Sequence, residues 1–168
     1  MQKILIIGSP GSGKSTFSFK LGKKLNIPII HLDKLFWKEG WVNRSNGEFD
    51  SLLIKEMEKE SWIIDGNYSR SLEMRLKKAD TVIFFDYSRF VCLWRVLKRV
   101  ITNNGKVRSD MAEGCPERFD WEFIKYVWSF PNKQREKTFE LLSMNHSARV
   151  FIIHNKKEFK EFEEKIFS

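Results

Sequence analysis

Residues 4–16 read Ile4-Leu5-Ile6-Ile7-Gly8-Ser9-Pro10-Gly11-Ser12-Gly13-Lys14-Ser15-Thr16. The apolar run at the start of this stretch predicts a strand that is buried on both faces. A glycine-rich turn with the spacing G-x-x-x-x-G-K-S follows, and a helical pattern follows the turn. This is a phosphate-binding loop, or P-loop, in its strand–loop–helix setting. The alternative, an ordinary Gly/Ser turn, leaves that setting unexplained. The stretch therefore predicts that the protein binds a nucleoside triphosphate.

The residue types of the P-loop suit a triphosphate. Glycines without a Cβ let backbone N–H groups turn toward phosphate oxygens, and the following helix directs its positive dipole end at the same anion. We expect Lys14 to reach the β- and γ-phosphates and the Ser15 hydroxyl to bind Mg²⁺. ATP and Mg²⁺ are thus the predicted ligands. The predicted nucleotide-binding residues of the loop are Gly8, Ser9, Pro10, Gly11, Ser12, Gly13, Lys14, Ser15 and Thr16.

The composition indicates one globular domain over residues 1–168. Hydrophobic residues make up 42% of the chain and charged residues 31%, which is typical of soluble proteins. No apolar run reaches the length of a membrane span, and Met1 leads directly into the first predicted strand, so we expect no signal peptide. Cys92 and Cys115 are far apart and indicate neither a disulfide framework nor a zinc site. These features predict a cytoplasmic monomer without a membrane partner.

The positive charge of the chain is concentrated in one segment. The net charge is +8, yet residues 88–109 hold no acid and contain Arg89, Arg95, Lys98, Arg99, Lys106 and Arg108. This clustering favours an anion-binding site over a general basic coat, although a solvated basic helix face is the alternative. A sequence pI near 9.5 makes nucleic acid a possible partner. It is not favoured, because no helix-turn-helix, zinc-finger or RNA-recognition signature is present.

The order of apolar runs predicts an α/β fold. Further strands are expected at residues 28–30, 62–64, 81–85 and 150–153, with helical patterns between them. Ser45 and Glu48 have capping-box spacing for a helix that extends to about Lys59. Alternating strands and helices predict a three-layer fold, with a five-stranded parallel sheet and helices on both faces. Ligands of such sheets bind at the carboxyl ends of the strands, where the P-loop, Asp33, Asp65 and Asp86 are expected.

Three more helices are predicted in the second half of the chain. One extends from about residue 88 to 103, with an apolar stripe of Phe90, Leu93, Trp94, Leu97 and Ile101. Arg95 and Arg99, four residues apart, share a roughly opposite face. A second begins near residue 120, is interrupted at the proline of position 131 and resumes to about residue 143. Asn155 is expected to cap the last helix.

Three further stretches carry a family resemblance. They are His31-Leu32-Asp33, Trp62-Ile63-Ile64-Asp65-Gly66-Asn67-Tyr68 and Asp110-Met111-Ala112-Glu113-Gly114-Cys115-Pro116-Glu117-Arg118-Phe119. With the P-loop, they make most of the chain resemble the adenylate-kinase-like P-loop kinases, and within them the small bacterial group labelled DNA topology modulation protein (FlaR-related). The resemblance implies a P-loop NTPase fold, with an acceptor-side segment over about residues 31–60 and a short LID over about residues 103–120.

The resemblance also implies a function. It predicts an ATP-binding, Mg²⁺-dependent kinase that transfers the γ-phosphoryl group to a small acceptor such as a nucleoside, a nucleotide or a similar metabolite. The alternative that the group's label suggests is an ATP-switched protein that binds DNA or modulates its topology.

Two acidic residues receive roles from their positions. Asp65 ends an apolar strand, as a Walker-B carboxylate does, and is expected to hold Mg²⁺ opposite Ser15. Capping of the following turn is the alternative for Asp65, and Asp86, which has the same local pattern, is the competitor for the metal. Asp33 lies where small-molecule kinases of this superfamily place an acid that contacts an acceptor hydroxyl. A salt bridge to a neighbouring lysine is the alternative role for Asp33.

The acceptor-side pattern differs from that of nucleoside monophosphate kinases. Arg70 falls one residue later than the arginine that grips the acceptor phosphate, and Asn67-Tyr68 replaces the usual aromatic–proline pair. This departure favours a hydroxyl acceptor, with Arg44 and Arg70 left as other sources of positive charge. Trp37 and Trp41 are expected either to stack on a ring or to cover the pocket, and His31 to be a hydrogen-bonded packing residue.

The arginines complete the predicted catalytic set. Arg95 and Arg99 resemble the paired arginines at the entry of the LID, and Arg108 resembles the arginine just after it. Phosphoryl transfer depends mainly on positioning and on neutralising the transferred group, which these arginines would do on a closing segment. Arg118 is a weaker candidate for the same cluster. By the resemblance, Arg95 would also stack on adenine, against residues 154–156. The predicted catalytic residues are Lys14, Asp33, Arg95, Arg99 and Arg108.

Overall fold

The computed structural model describes residues 1–144 and 147–167. Its strands are β1 Lys3–Gly8, β2 Ile29–His31, β3 Trp37–Lys38, β4 Val42–Asn43, β5 Trp62–Asp65, β6 Thr81–Phe85 and β7 Arg149–Ile153. Its helices are α1 Lys14–Leu25, α2 Leu32–Phe36, α3 Asn46–Met57, α4 Ser69–Lys78, α5 Arg89–Asn103, α6 Trp121–Phe130, α7 Glu136–Met144 and α8 Lys156–Phe167.

The five-stranded parallel sheet is confirmed, with the strand order β2–β5–β1–β6–β7. Strand β1 lies at its centre, paired with β5 on one side and with β6 on the other. Its residues are almost all buried, because helices cover both faces and water reaches neither. The P-loop that follows β1 is therefore held at the middle of the carboxyl edge of the sheet.

Alternate residues of the strands divide the core into two layers. Ile4 and Ile6 pack with α1, α5, α6 and α8 on one face, whereas Leu5 and Ile7 pack with α2, α3, α4 and α7 on the other. This follows from the period of two in a strand, which points successive side chains to opposite faces. The predicted three-layer α/β fold is confirmed. Within the described residues, no helix has the length and apolar character needed to cross a bilayer.

The apolar stripe predicted for α5 packs against the core only in part, at Leu93 and Leu97. Cys92, Val96 and Val100 are the buried residues of this helix, whereas Phe90, Trp94 and Ile101 are exposed. The helix is apolar on more than one face, and periodicity alone could not indicate which face the sheet would cover. The predicted stripe is therefore apolar, but it is not the most buried face of the helix.

The acceptor-side segment is more regular than the loop that was expected. It contains the short helix α2 and a small antiparallel hairpin of β3 and β4. The predicted capping box before α3 is confirmed, since the Ser45 hydroxyl accepts from the Glu48 N–H and the Glu48 carboxylate accepts from the Ser45 N–H. The helix ends at Met57, two residues before the predicted end. The second strand begins one residue later than predicted, at Ile29.

Residues 104–120, which we call the LID segment, lie against this hairpin. The Gly40 N–H donates to the carbonyl of Gly114 at 3.1 Å, and the Cys115 thiol donates to the carbonyl of Lys38 at 3.2 Å. Gly114 has φ of 70°, and a Cβ there would lie 2.3 Å from Cγ of Glu39. The close approach therefore requires glycine, and the LID segment is packed on the hairpin at this point.

The proline interruption and the final cap were predicted correctly. Helix α6 ends at Phe130, and residues 131–135 form a π-helical turn that leads into α7. The ring of a proline removes a backbone donor, which is tolerated at the start of such a turn. The Asn155 side chain accepts from the N–H groups of Lys157 and Glu158, both at 3.0 Å, and so caps α8.

Candidate active site

A cavity of about 1280 Å³ lies at the carboxyl ends of β2, β5 and β1. The P-loop lines it with residues 10–16, and Asp33 and Asp65 line it from the strand ends. The arginines of α5 and the LID segment line it from the other side. The structure thus brings the predicted catalytic residues into one space. Gly8 and Ser9, at the base of the loop, are not among the described lining residues.

The P-loop glycines serve two different purposes. Gly8 and Gly11 allow close packing, since a Cβ on Gly8 would lie 2.4 Å from the carbonyl oxygen of Phe85, and one on Gly11 2.5 Å from that of Cys92. Gly13 has φ of 102°, but a Cβ there would meet nothing within 4 Å. Glycine is therefore required at position 13 for its backbone conformation. This left-handed residue directly precedes α1 and directs the N-terminus of the helix to the cavity.

Lys14 projects from the start of α1 into the charged part of the cavity. Its Nζ donates to the carbonyl of Ser9 at 3.0 Å. Burial lowers the pKa of Lys14, while the negative charges of Asp65 and Asp33 act in the opposite direction. Lys14 lines the cavity together with Asp33 and Asp65, and its hydrogen bond to the Ser9 carbonyl leaves other Nζ donors for a ligand.

Asp65 is buried beside the P-loop and is held by a histidine. His31 Nδ1 lies 3.0 Å from Oδ2 of Asp65, as expected for a hydrogen-bonded packing residue. The other oxygen, Oδ1, is buried and has no hydrogen-bond partner among residues 1–144 and 147–167. Such a group is costly unless something binds it. Oxygen ligands of this kind suit Mg²⁺, and Asp65 and Ser15 line the same cavity.

Asp86 is engaged elsewhere. Arg135 binds both of its carboxylate oxygens, with Nε 2.7 Å from Oδ1 and Nη2 2.8 Å from Oδ2. Asp86 is also not among the described residues that line the cavity. The structure therefore brings Asp65, and not Asp86, to the P-loop. The sequence prediction preferred Asp65 to Asp86, because a glycine follows Asp65, as in the nucleoside monophosphate kinases that the chain resembles.

Asp33 follows β2 and accepts a hydrogen bond from a tyrosine. The Tyr68 hydroxyl donates to its Oδ1 at 2.7 Å, which leaves Oδ2 for an acceptor. Burial raises the pKa of Asp33, while the Tyr68 hydrogen bond acts to lower it. A salt bridge to Lys34 or Lys38 does not form, since Lys38 pairs with Glu48 and Lys34 is exposed. A carboxylate with a raised pKa in a cleft is suited to proton transfer.

Arg95 contacts the P-loop directly. Its guanidinium donates to the carbonyl of Ser12 at 3.1 Å and lies 5.1 Å from the centre of the Tyr87 ring. Lys156, from the segment that was expected to enclose adenine, lines the same cavity. The predicted stacking of Arg95 on adenine stays a prediction, and Tyr87 now belongs to that part of the site.

Two acids hold the other two arginines in place. Glu117 accepts from Arg99 at 3.1 Å and from Arg108 at 3.0 Å, and Asp110 accepts from Arg108 at 2.9 Å. Although burial opposes it, Asp110 and Glu117 hold the pKa of Arg108 above its usual value. The buried Glu117 therefore fastens the LID segment to α5. Sequence reasoning quoted Glu117 in a motif but gave it no role.

Some of the remaining aromatic and basic candidates line the cavity, whereas others are bound elsewhere in the fold. Trp37 and Trp41 line the cavity with their ring centres 5.4 Å apart, and the Arg118 guanidinium lies 5.1 Å from the Trp41 ring. Arg70 instead pairs with Asp50, and Arg44 donates to backbone carbonyls of residues 34, 35 and 37. The last two arginines are not among the described lining residues, so they do not supply charge to the cavity.

Sequence reasoning missed the residue that holds the Asp65–Tyr68 turn. Arg75 is fully buried, and it donates to the carbonyls of Gly66, Asn67 and Tyr68. Burial lowers its pKa to about 9, so it still carries its charge at neutral pH. The helical spacing of the sequence did indicate that Arg75 is buried, since position 75 lies on the same helix face as the buried Leu72 and Leu76. The Asn67 side chain, also missed, accepts from the Gly8 N–H at 2.9 Å and joins this turn to the P-loop.

Replacing Arg75 with methionine is expected to destabilise the protein by about 2–4 kcal/mol, because buried carbonyls lose their donors. Urea denaturation followed by circular dichroism measures the change. Arg70→Met is the matched control on the same helix, since its exposed ion pair contributes little. Equal stability of the two variants would contradict the role of Arg75.

Comparisons with known proteins agree with this geometry. The chain is 27% identical to the L-seryl-tRNA(Sec) kinase of Methanococcus maripaludis, over 97% of this chain and 70% of that protein. It is 28% identical to the adenylate kinase of Rickettsia africae over 62% of this chain, and it spans 61% of that enzyme. Among solved structures, shikimate kinase from Bacteroides thetaiotaomicron superposes with a TM-score of 0.54 at 18% identity, covering 97% of this chain and 94% of that one. No model of a known protein family matches the chain.

These comparisons support the coarser part of the resemblance. The named proteins are kinases of the P-loop type, and the chain has their α/β fold. The narrower resemblance to the DNA topology modulation group stays a prediction.

Proposed function

We propose that this protein is a Mg²⁺-dependent kinase that transfers the γ-phosphoryl group of ATP to a hydroxyl of a small acceptor. The observation that carries the proposal is the cavity, which the P-loop with Lys14, the Asp33 carboxylate and the arginines of α5 and the LID segment line together. Its volume of about 1280 Å³ exceeds that of most single-ligand pockets, which leaves room for a nucleotide and an acceptor together. We expect a cytoplasmic monomer.

The P-loop end of the cavity is the proposed ATP site. The backbone N–H groups of residues 11–15 and the dipole of α1 would bind the β- and γ-phosphates. Lys14 would exchange its contact with the Ser9 carbonyl for a phosphate oxygen. Arg95 already lies against the loop at Ser12, from which it can reach the same anion. We propose that Ser15 and Asp65 hold Mg²⁺, which would neutralise phosphate charge.

The other end of the cavity is the proposed acceptor site. Asp33 Oδ2 would accept the proton of the acceptor hydroxyl as its oxygen bonds to the γ-phosphorus, while the bond from that phosphorus to the leaving oxygen of ADP breaks. Arg99 and Arg108 would neutralise the transferred group. Their positions depend on Glu117, so the LID segment and α5 would act as one unit.

A hydroxyl acceptor suits this charge arrangement better than a phosphate. A carboxylate such as Asp33 at 4 Å from an anionic phosphate would repel it by about 1–4 kcal/mol for dielectrics between bulk water and a protein surface. Neither Arg70 nor Arg44 is available as the arginine that grips an acceptor phosphate in nucleoside monophosphate kinases, because Arg70 pairs with Asp50 and Arg44 binds backbone carbonyls. A hydroxyl needs no such cation and benefits from a nearby base.

The experiment that tests the proposal is release of ADP from Mg-ATP in the presence of candidate acceptors. The panel contains nucleosides, nucleoside monophosphates, sugars, amino-acid derivatives with a hydroxyl, and short oligonucleotides. We expect acceptor-dependent release for a hydroxyl compound and loss of release when EDTA removes the metal. Stimulation only by a monophosphate would reject the hydroxyl acceptor, and the absence of ATP binding in calorimetry would reject the proposal as a whole.

A further inference from the structure

A second concave surface is formed by side chains of α5 and α6, and among the described residues it shares Tyr126 with the candidate active site. It is a groove of about 790 Å³, with Leu93, Leu97 and Ile124 among the side chains that form it. Successive residues of the chain alternate between the two spaces, since Arg118 and Asp120 line the cavity whereas Phe119 and Trp121 line the groove. The proposed phosphoryl transfer uses none of the groove's own side chains.

Large aromatic rings surround this groove and face water. The exposed fractions are 60% for Phe119, 59% for Trp121 and 44% for Trp128. The neighbouring outer row of α5 adds Phe90 at 68% and Trp94 at 61%. A single exposed ring needs no explanation, but a contiguous group of this kind on a monomer indicates a binding surface.

Basic side chains lie close to these aromatic rings. Lys98 Nζ lies 5.2 Å from the centre of the Trp94 ring, and Arg89 lies 5.1 Å from that of Trp128. Lys125 lies 5.9 Å from the Trp121 ring, and Lys133 also lines the groove. Among the described residues that line the groove, Glu122 is the one acid, and it is already paired with Lys125 at 2.9 Å. The surface is therefore both aromatic and positive.

We propose that this groove binds single-stranded nucleic acid. Rings that stack on bases, next to cations that track a phosphate backbone, are what a single strand needs, and the recognition tolerates any sequence because every base has a flat face. Charge complementarity is the argument for a polyanion, and the number of exposed rings is the argument for bases. The inference is independent of the proposed phosphoryl transfer.

Other occupants match the surface less well. A second copy of this chain would bring the same cations against these cations, and the whole chain carries a net charge of +8. Duplex DNA offers the phosphates but keeps its bases stacked inside. An anionic lipid surface is flat and would not enter a groove, and an acidic peptide supplies charge without planar groups for the rings.

The test is binding of a fluorescently labelled oligothymidylate of about 12 nucleotides, measured by anisotropy at increasing salt. We expect the logarithm of the binding constant to fall linearly with the logarithm of salt concentration, with a slope of about −0.7 for each phosphate contact. An abasic strand of the same length, a duplex and anionic phosphatidylserine vesicles are the comparison ligands. We expect each of them to bind at least tenfold more weakly than the oligothymidylate.

Exposed-residue variants separate stacking from charge. Trp121→Ala is expected to weaken binding roughly 5- to 100-fold, as for the loss of one stacked base. Lys125→Ala is expected to reduce the salt slope by about 0.7. Lys55→Ala is the matched control, because Lys55 is exposed on α3, in the opposite layer, and we expect it to change neither quantity.

Several results would overturn the inference. One such result is that the oligothymidylate does not bind at low salt. Others are that the abasic strand binds as tightly as the oligothymidylate, or that the vesicles bind more tightly than it does. A dimer in analytical ultracentrifugation that Trp94→Ala dissociates would assign the surface to a second copy instead. Thermal denaturation of each variant verifies that it is folded. Failure of this test leaves ADP release unaffected, so the two proposals can be rejected separately.

Discussion

Lys14→Ala is expected to reduce ATP turnover by about 10²–10³-fold or more, the usual cost of removing one donor that stabilises charge in the transition state. The physical reason is the loss of a cation at the end of the P-loop, where Lys14 Nζ donates to the Ser9 carbonyl and lines the cavity. Binding of Mg-ATP, measured by calorimetry, is expected to weaken as well, because the lysine contacts both the ground state and the transition state.

A matched control separates this effect from a general loss of charge on α1. Lys23 is exposed on the same helix, near its carboxyl end, so Lys23→Ala is expected to leave turnover unchanged. Lys14→Met keeps most of the aliphatic part of the side chain, so it tests whether lost packing explains the effect. We expect it to behave like the alanine variant. Turnover in either Lys14 variant equal to that of the parent protein would mean that this loop does not bind the transferred phosphate.

Asp33→Asn is expected to reduce phosphoryl transfer by about 10²–10⁴-fold, the range for loss of a general base. ATP affinity is expected to change much less than transfer, because Asp33 is proposed to contact the acceptor hydroxyl and not the nucleotide. The measurement is kcat for ADP release with a hydroxyl acceptor found in the panel, together with the dissociation constant of Mg-ATP. Unchanged transfer, or faster transfer to a monophosphate, would contradict the hydroxyl acceptor.

The pH profile supplies a second test of the same residue. A base must be ionised to act, so the rate is expected to fall as the pH drops through the pKa of Asp33. Burial raises that pKa, so the midpoint should lie above the ordinary value for an aspartate. Tyr68→Phe removes a hydrogen bond that favours the ionised form, so the pKa should rise further and the midpoint should move to higher pH. Asp33→Asn should abolish this limb of the profile.

Local patterns predicted the sheet and the P-loop because both depend on residues close in sequence. The apolar run of β1, the glycines after it and the start of α1 all lie within residues 3–25, and a strand buried on two faces needs no distant information to be identified. The capping box at Ser45 and the cap at Asn155 were predictable for the same reason, since each involves residues three positions apart.

Contacts between residues that are far apart in sequence decided where side chains with similar local patterns are placed. Asp65 and Asp86 both lie at the ends of apolar strands, but the arginine at position 135, far along the chain, pairs with Asp86. Arg70 and Arg75 are five residues apart on one helix, yet the first pairs with Asp50 and the second is buried beneath the turn at Tyr68. Such choices depend on which side chains the fold brings together across long loops.

The sequence by itself determined that the chain forms a parallel α/β sheet with a P-loop at its centre and basic residues near the phosphates. Only the tertiary structure decided which face of α5 the sheet covers, since that helix is apolar both at Val96 and at Trp94. It also decided that Glu117 joins Arg99 to Arg108. The physical reason is that periodicity records what one segment can bury, whereas burial and ion pairing depend on what the neighbouring segments supply.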